Sequence, residues 1–154
     1  MIDKTLPVAA IKNGTVIDHI RPGQAHRLMH LLRVIEDKNK VTMGLNLPSQ
    51  RRGLKDLLKI ENRALTADEA NEVMIFSPEA TINLIEAFEV VKKIETHLPN
   101  AILRVFLCPN STCITHGEPI ASHFHIKEQG KHMKLTCHYC EKTFDRDQVK
   151  VQLG

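Results

Sequence analysis

The sequence predicts an α+β protein of two domains, a mixed domain over residues 1–97 and a small domain of short strands over residues 98–154. In the first domain, segments with apolar residues at helix spacing alternate with segments that have them at strand spacing. Beyond a polar linker at residues 95–100 only strand spacing remains, and all four cysteines lie there. The chain has 154 residues, of which 42% are hydrophobic, so it can bury a core.

The first domain is predicted to follow the order strand, helix, strand, strand, helix, strand. The predicted segments are a strand over residues 6–20 around a turn at Asn13-Gly14, a helix over 24–35, strands over 41–47 and 54–61, a helix over 66–77, and an extended pair of short strands over 80–93. Ile35 ends the apolar stripe of the first helix, and Thr66 with Glu69 forms a capping box at the second. This order is that of a ferredoxin-like sheet with two helices on one face and the other face open.

Two lysines are predicted to share one face of the strand over residues 54–61. Because side chains alternate along a strand, Lys55 and Lys59 lie on the same side as Leu57. Such a pair is typical of a solvated face, and it is also what a phosphate-binding surface requires.

The second domain is predicted to be all-β and to depend on a metal. Its predicted strands cover residues 102–107, 122–127, 131–136 and 142–144, with a turn at Gly130. So few short strands bury little surface, and a structural zinc ion contributes about 10–16 kcal/mol of apparent free energy in small domains.

The four cysteines have the spacing of a zinc site. Cys108 and Cys113 form a C-x4-C pair, and Cys137 and Cys140 form a C-x2-C pair. Two such pairs on tight turns can close a tetrahedron of sulfurs around zinc. A four-sulfur site leaves no open coordination position, so the predicted role of the metal is structural.

The four cysteines allow other interpretations. Two disulfides are disfavoured because the first residues lack the apolar run of a signal peptide, which favours a reducing cytosol. A redox dithiol needs only the C-x2-C pair, so this use would leave Cys108 and Cys113 without a role. Iron in a four-sulfur site remains open. His116 and His138 lie near the cysteines and are expected to face solvent rather than replace a sulfur.

Composition argues against several classes of function. The net charge of +3 comes from 21 basic and 18 acidic residues mixed along the chain, unlike the basic face of a nucleic-acid-binding protein. A zinc ribbon beside a ferredoxin-like domain nevertheless keeps nucleic-acid binding as an alternative. No apolar run is long enough to span a membrane. The nine histidines are spread along the sequence without a nucleophile and base signature, which disfavours an enzyme.

Several stretches carry a resemblance to a known family. They are Gly14–Ile20, Gly44–Ser49, Lys55–Asn62, Cys108–Cys113 with Ile114 and His116 after it, and Cys137–Lys142. In these stretches, and over nearly the whole chain, the sequence resembles the regulatory chain of aspartate carbamoyltransferase. The resemblance implies a cytoplasmic, non-catalytic subunit that controls pyrimidine biosynthesis. It implies that CTP and ATP compete for one site in the first domain, with UTP and Mg²⁺ as a further effector. It also implies a homodimer of regulatory chains and one structural zinc per chain.

The resemblance also implies roles for individual residues. Ala10 and Ile11 would read the base through backbone groups, and Val16, Asp18 and His19 would lie along the nucleotide. Lys59 would lie near the ribose and base, and Lys55 and Lys93 near the phosphates. The wall of the site would be completed by Asn83, Ile85, Phe88 and Val90. Phe88 stands where the family carries a tyrosine, so a hydroxyl hydrogen bond is lost. The second domain would dock on the catalytic chain, with Asn110, Glu141 and Lys142 expected at that surface.

Overall fold

The computed structural model describes residues 10–51, 53–129 and 132–152. The chain divides into two compact units, Met1–His97 and Leu98–Gly154. Both helices and strands are present, so the predicted α+β class is confirmed. The start of the predicted first strand, residues 6–9, and the predicted turn at Gly130 lie outside the described residues. Within the described part of the chain, no helix has the length and apolar content needed to cross a membrane.

The first unit contains a five-stranded antiparallel sheet and two helices. Its elements are β1 (Gly14–Ile20), α1 (Ala25–Leu31), β2 (Val41–Ser49), β3 (Gly53–Glu61), α2 (Ala67–Phe76), β4 (Thr81–Glu86) and β5 (Glu89–Ile94). The strand order is β2-β3-β1-β4-β5. Ile17, Leu58 and Ile82 are paired across the central strands and are almost fully buried, so they form the centre of the core.

The second helix begins as the sequence predicts. The Thr66 hydroxyl accepts a hydrogen bond from the Glu69 backbone N–H at 3.1 Å, and the Glu69 carboxylate accepts one from the Thr66 N–H at 2.9 Å. The capping box therefore satisfies two backbone donors that a helix N-terminus leaves without partners.

The first helix is shorter than predicted. It ends at Leu31 rather than near residue 35, and Arg33 has a φ of 52°, which no helix can continue. This change of direction buries Val34 and leaves Ile35 with 72% of its surface exposed. The prediction that Ile35 lies on the buried stripe is therefore wrong.

The extended segment after α2 folds back on itself. A two-residue turn at Ala87 and Phe88 separates β4 from β5, and both residues have positive φ, 51° and 67°. The result is a hairpin that adds β5 as an edge strand to the four strands of the predicted order.

The second unit consists mostly of short strands. They are β6 (Ala101–Leu103), β7 (Phe106–Leu107), β8 (His123–Gln129), β9 (His132–Cys137), β10 (Thr143–Asp145) and β11 (Lys150–Val151), arranged as a sheet β10-β9-β8-β6 and a pair β11-β7. A one-turn helix, α3 (Ile114–Gly117), and a 3-10 turn over Arg146–Gln148 interrupt the predicted all-β pattern. The core is formed around Phe106 and Phe124, whose rings meet edge to face with centroids 6.0 Å apart.

Candidate functional site

A cavity of about 390 Å³ lies on the sheet of the first unit. Val16, Lys59 and Asn83, which are Cα partners across the three central strands, all line it. They alternate along their strands with the buried row of Ile17, Leu58 and Ile82, so the cavity lies on the face opposite the core. The open face predicted from the sequence therefore carries a pocket.

Ten of the twelve residues predicted for the nucleotide site line this one cavity. They are Ala10, Ile11, Val16, Asp18, Lys55, Lys59, Asn83, Ile85, Phe88 and Val90. The sequence reasoning missed Leu47, Pro48 and Leu57, which also line it. Leu57 could have been found from its position between Lys55 and Lys59 on the same strand face. The role of the ten residues in nucleotide binding stays a prediction.

His19 does not line the main cavity. The register of β1 shifts between Ile17 and Ile20, and His19 adopts a φ of 56° in this bulge. Its ring Nδ1 lies 3.1 Å from the Thr81 hydroxyl. The side chain instead lines a neighbouring cavity of about 130 Å³, which shares Lys55 with the first.

Lys93 is the second predicted residue that is not part of the main cavity wall. It is the Cα partner of Asn83, so it extends the row that runs through Val16 and Lys59 toward the edge of the sheet. The residue lies beside the cavity rather than in it.

An ion pair spans the junction of the two cavities. Lys55 Nζ lies 2.9 Å from Asp18 Oδ1, and Lys55 is a lining residue of both cavities. Burial opposes ionisation of Asp18, but hydrogen bonds from Lys55 and from the His19 backbone N–H outweigh it, so the pKa of Asp18 lies below 3.8. Burial lowers the pKa of Lys59, and the negative charge of Asp18 opposes that shift. The Asp18 carboxylate thus pairs with Lys55 and acts electrostatically on Lys59.

The charges of three cations influence the pKa of His19. Burial lowers the pKa of its imidazole below 6.5, the Asp18 charge opposes this shift, and the charges of Arg51, Lys55 and Lys93 add to it. The sequence reasoning did not single out Arg51, whose signal was its place at the tip of the β2–β3 hairpin. Among the described residues, the smaller cavity is lined by Arg21, Arg51 and Lys55 and by one carboxylate, that of Glu79, so positive charge is in excess there.

Asp56 connects the elements around the site and was also missed. Its side chain is fully buried. Oδ2 accepts hydrogen bonds from the backbone N–H groups of Gly23 at 2.9 Å and Ala25 at 3.3 Å, and Oδ1 accepts one from Asn46 at 3.0 Å. Asn46 lies in the β2 bulge just before Leu47 and Pro48. The signal was an aspartate within an apolar strand.

The turn at Ala87 and Phe88 forms part of the cavity rim. The Phe88 N–H donates to the Lys12 carbonyl at 2.9 Å, and the Ala87 N–H donates to Asn13 Oδ1 at 3.2 Å. Phe88 keeps 62% of its surface exposed although it lines the cavity. These bonds hold two residues in the left-handed region, which costs about 1–2 kcal/mol for each non-glycine residue.

The four cysteines of the second unit converge as predicted. Their sulfurs all lie within 4.8 Å of one another, with Cys108 and Cys140 at 3.8 Å and Cys113 and Cys137 at 3.7 Å. Tetrahedral zinc with bonds of about 2.3 Å requires sulfur separations of about 3.8 Å. The four thiols are not joined by disulfides. The donor set therefore fits a structural metal, and zinc satisfies its geometry.

Hydrogen bonds lower the pKa of Cys113 and Cys140 and so favour their thiolates, whereas burial raises the pKa of Cys108 and Cys137. The Thr115 hydroxyl donates to Cys113 Sγ at 3.2 Å. Burial raises the pKa of Cys108 to about 12. Burial also opposes ionisation of Cys140, but hydrogen bonds from the Asn110 side chain and the Lys142 backbone lower its pKa to about 7. A bound divalent cation deprotonates such thiols.

The remaining residues predicted near this centre have distinct environments. His116 Nε2 hydrogen-bonds the Cys108 carbonyl at 2.8 Å, which fixes its ring beside the first cysteine pair. Glu141 is exposed with a φ of 61° just after the second pair, and Lys142 is exposed next to it. Asn110 is half-buried and also accepts from Thr112, so it supports the first cysteine turn.

Both units match family models. A model described as the allosteric domain of the aspartate carbamoyltransferase regulatory chain matches residues 6–97, and one described as the metal binding domain of that chain matches residues 100–150. Aspartate carbamoyltransferase regulatory chains from Tolumonas auensis and Chromobacterium violaceum are 49% and 50% identical to this chain over 146 and 145 residues. The first alignment covers 95% of each chain, and the second 94% of this chain and 95% of the relative. The chain therefore belongs to the aspartate carbamoyltransferase regulatory chains, a family of regulatory rather than catalytic subunits.

Proposed function

We propose that this regulatory chain binds CTP and ATP competitively in the 390 Å³ cavity and passes the effect to a catalytic chain through the metal-binding unit. The observation that carries the proposal is the grouping of the ten predicted residues around one cavity. A coupling of about 1–3 kcal/mol between effector site and catalytic site is sufficient for such control. The proposal includes UTP with Mg²⁺ as a further effector of this regulatory chain.

The chemistry of the cavity fits a nucleotide in one orientation. Val16, Ile85 and Phe88 provide apolar surface for a base, and the backbone at Ala10 and Ile11 can distinguish an amino from a keto group. Lys59 is the Cα partner of Val16, and Asp18 lies two residues further along β1 beside Lys55, where ribose hydroxyls can donate to its carboxylate. This orientation directs the phosphates toward the second cavity.

The positive charges around His19 support that placement of the phosphates. Lys55 lines both cavities, and Arg51, Lys55 and Lys93 all act on the pKa of His19. Ammonium and guanidinium groups are the usual ligands of a triphosphate. His19 and Lys93, which lie outside the main cavity wall, are thus assigned to the phosphate end.

The second unit is assigned to docking on the catalytic chain. A four-sulfur centre has no open position for a substrate, so its zinc would stabilise the turns at residues 108–113 and 137–140. Glu141 and Lys142 are exposed beside the second turn, and Asn110 supports the first. Loss of zinc is then expected to release the catalytic subunits without abolishing their chemistry.

The proposal extends to fold, assembly and location. The order β2-β3-β1-β4 with two helices is that of a ferredoxin-like domain, and β5 is an added edge strand. A homodimer of regulatory chains would cover exposed apolar residues such as Ile35 and Leu45. Free thiols at the metal centre require a reducing compartment, which favours the cytoplasm.

The decisive experiment combines the zinc-loaded chain with its catalytic chain. Carbamoyl-aspartate formation is measured against aspartate concentration with and without CTP or ATP, and the mass of the complex is measured in parallel. A larger complex with a nucleotide-dependent curve is expected, and it would give the sign of each effector. Absence of a complex from the zinc-loaded chain would refute the docking role. A complex without any nucleotide response would refute the effector site.

Lys59→Ala tests the cavity directly. Loss of a charge-assisted hydrogen bond of about 1.5–3 kcal/mol predicts roughly tenfold to hundredfold weaker CTP and ATP binding, while the catalytic chain remains active. The matched control is Lys40→Ala. The Lys40 side chain is 76% exposed, and its ion pair with Glu61 is long at 3.9 Å. Calorimetry with each nucleotide measures the affinity. Unchanged affinity in Lys59→Ala would show that the site is assigned wrongly.

A further inference from the structure

Three of the nine histidines converge on one face of the β8–β9 hairpin. His123 and His125 alternate along β8 and therefore point to the same side of the sheet. His138 follows the end of β9, and its backbone N–H donates to the His123 carbonyl at 2.8 Å. The pairing of Phe124 with Cys137, both fully buried, leaves the histidines on the opposite face.

Their ring nitrogens face one another. His125 Nε2 lies 2.9 Å from His138 Nδ1. The ring of His123 stacks on that of His138 with centroids 4.4 Å apart, and it lies 4.7 Å from that of His125. One nitrogen of each ring lies within 4.8 Å of the other two. In the described part of the chain, no ion pair joins any of the three to a carboxylate.

This separation is close to that of a metal site. Tetrahedral zinc with Zn–N bonds of about 2.1 Å requires nitrogen separations of about 3.4 Å. His125 and His138 are exposed and His123 is half-buried, so rotation of the three side chains can bring the ring nitrogens to that separation without movement of the hairpin backbone. The strand pairing has thus already brought the three ligands together.

We propose that His123, His125 and His138 form a second metal site that binds a divalent transition-metal ion, with Zn²⁺ as its first choice. Imidazole nitrogen suits Zn²⁺, Cu²⁺ and Ni²⁺, whereas Mg²⁺ and Ca²⁺ prefer oxygen ligands. Three protein ligands leave a coordination position for water, and two of the three histidines are exposed, so the ion would be accessible to solvent. The four-cysteine centre differs in being closed, although Cys137 and His138 are adjacent in the chain.

The test uses the full chain and zinc alone. Zinc content is measured after equilibration in a series of chelator-buffered free zinc concentrations. Wild-type protein is expected to take up one zinc tightly and a second at higher free zinc. His125→Ala and His138→Ala are expected to keep the first and to bind the second at least about tenfold more weakly, since even supporting residues of metal sites contribute that factor.

Two controls separate the cluster from other histidines. His132→Ala removes an exposed imidazole from the same hairpin and should leave both zinc ions bound. His26→Ala combined with His30→Ala removes a pair in α1 whose Nε2 atoms lie 3.2 Å apart, a separate arrangement that also brings two ring nitrogens together. Retention of the second zinc in both controls supports the site. Its loss in the α1 variant would overturn the proposal.

A wild-type content of one zinc over the whole range, or a second zinc retained in both cluster variants, would also overturn the proposal. Nitrogen NMR of the imidazole rings decides the case in which a cluster variant loses both ions through misfolding. Addition of the second equivalent of zinc to wild-type chain should then shift the ring signals of His123, His125 and His138. Unshifted signals from these three rings would refute the site.

Discussion

Asp56→Asn is the substitution whose effect follows most directly from the structure. The buried carboxylate of Asp56 accepts hydrogen bonds from three backbone N–H groups and joins β3 to the start of α1 and to the β2 bulge. Asparagine has nearly the same shape but only one acceptor oxygen and an NH₂ group that cannot accept. Whichever way the amide is oriented, at least one backbone N–H of Gly23, Ala25 or Asn46 faces another donor.

The expected loss of stability is about 2–4 kcal/mol. In the better orientation the amide oxygen keeps the bonds from Gly23 and Ala25, and the bond from Asn46 is lost. A hydrogen bond to a charged group contributes about 1.5–3 kcal/mol, and the two remaining bonds are weaker because their acceptor is now neutral. The lost contact also frees the bulge before Leu47 and Pro48, so nucleotide binding should weaken too.

Hydrogen exchange followed by mass spectrometry separates the two units in one measurement. Peptides from β1 to β5 should lose about 2–4 kcal/mol of opening free energy, and peptides from β6 to β11 should be unchanged. Glu86→Gln, a substitution of an exposed carboxylate at the end of β4, is the control. If Asp56→Asn lowers protection no more than this control, the three accepted hydrogen bonds do not contribute as described.

Three further predictions concern the cavity and the metal centre. Asp18→Asn should lower the unfolding free energy by roughly 0.5–1 kcal/mol at neutral pH. Because the folded-state pKa of Asp18 is depressed below 3.8, the difference should vanish as pH falls through that pKa in denaturation experiments; a difference that persists in acid would contradict the ion pair with Lys55. Cys113→Ser should lose zinc and holoenzyme assembly in metal analysis and gel filtration, and normal assembly without metal would exclude a structural role. CTP affinity should rise on acidification toward the pKa of His19, because phosphates favour the imidazolium; calorimetry of His19→Asn should show a flatter pH profile, and an unchanged profile would place the phosphates elsewhere.

The features that sequence predicts well are those with local causes. The spacing of Cys108 and Cys113, and of Cys137 and Cys140, brings sulfurs to within the separations that zinc requires. The capping box at Thr66 depends on residues three apart, and strand alternation is enough to put Lys55 and Lys59 on one cavity. The other predicted residues of the cavity follow from the family resemblance and not from periodicity.

The features that sequence does not predict depend on tertiary contacts. Arg33 ends α1 without the glycine or proline that usually marks a helix end, so Ile35 was placed on the wrong side. The β1 bulge that turns His19 away from the main cavity has no local sequence signal. Likewise, His125 and His138 lie 13 residues apart and meet only because β8 pairs with β9.

The turn at Ala87 and Phe88 lowers the stability of the β4–β5 hairpin but keeps the cavity rim ordered. Glycine at position 87 would adopt the left-handed φ of 51° without a steric penalty, and would remove about 1–2 kcal/mol of strain. The same glycine would widen the conformations open to the neighbouring backbone. The present turn stays in place through the hydrogen bonds to Lys12 and Asn13, so the segment just before β1 determines where the Phe88 ring stands. A displacement of the segment before β1 would therefore move the turn and the cavity rim, and a displacement of the turn would move that segment, although 74 residues separate Asn13 from Ala87.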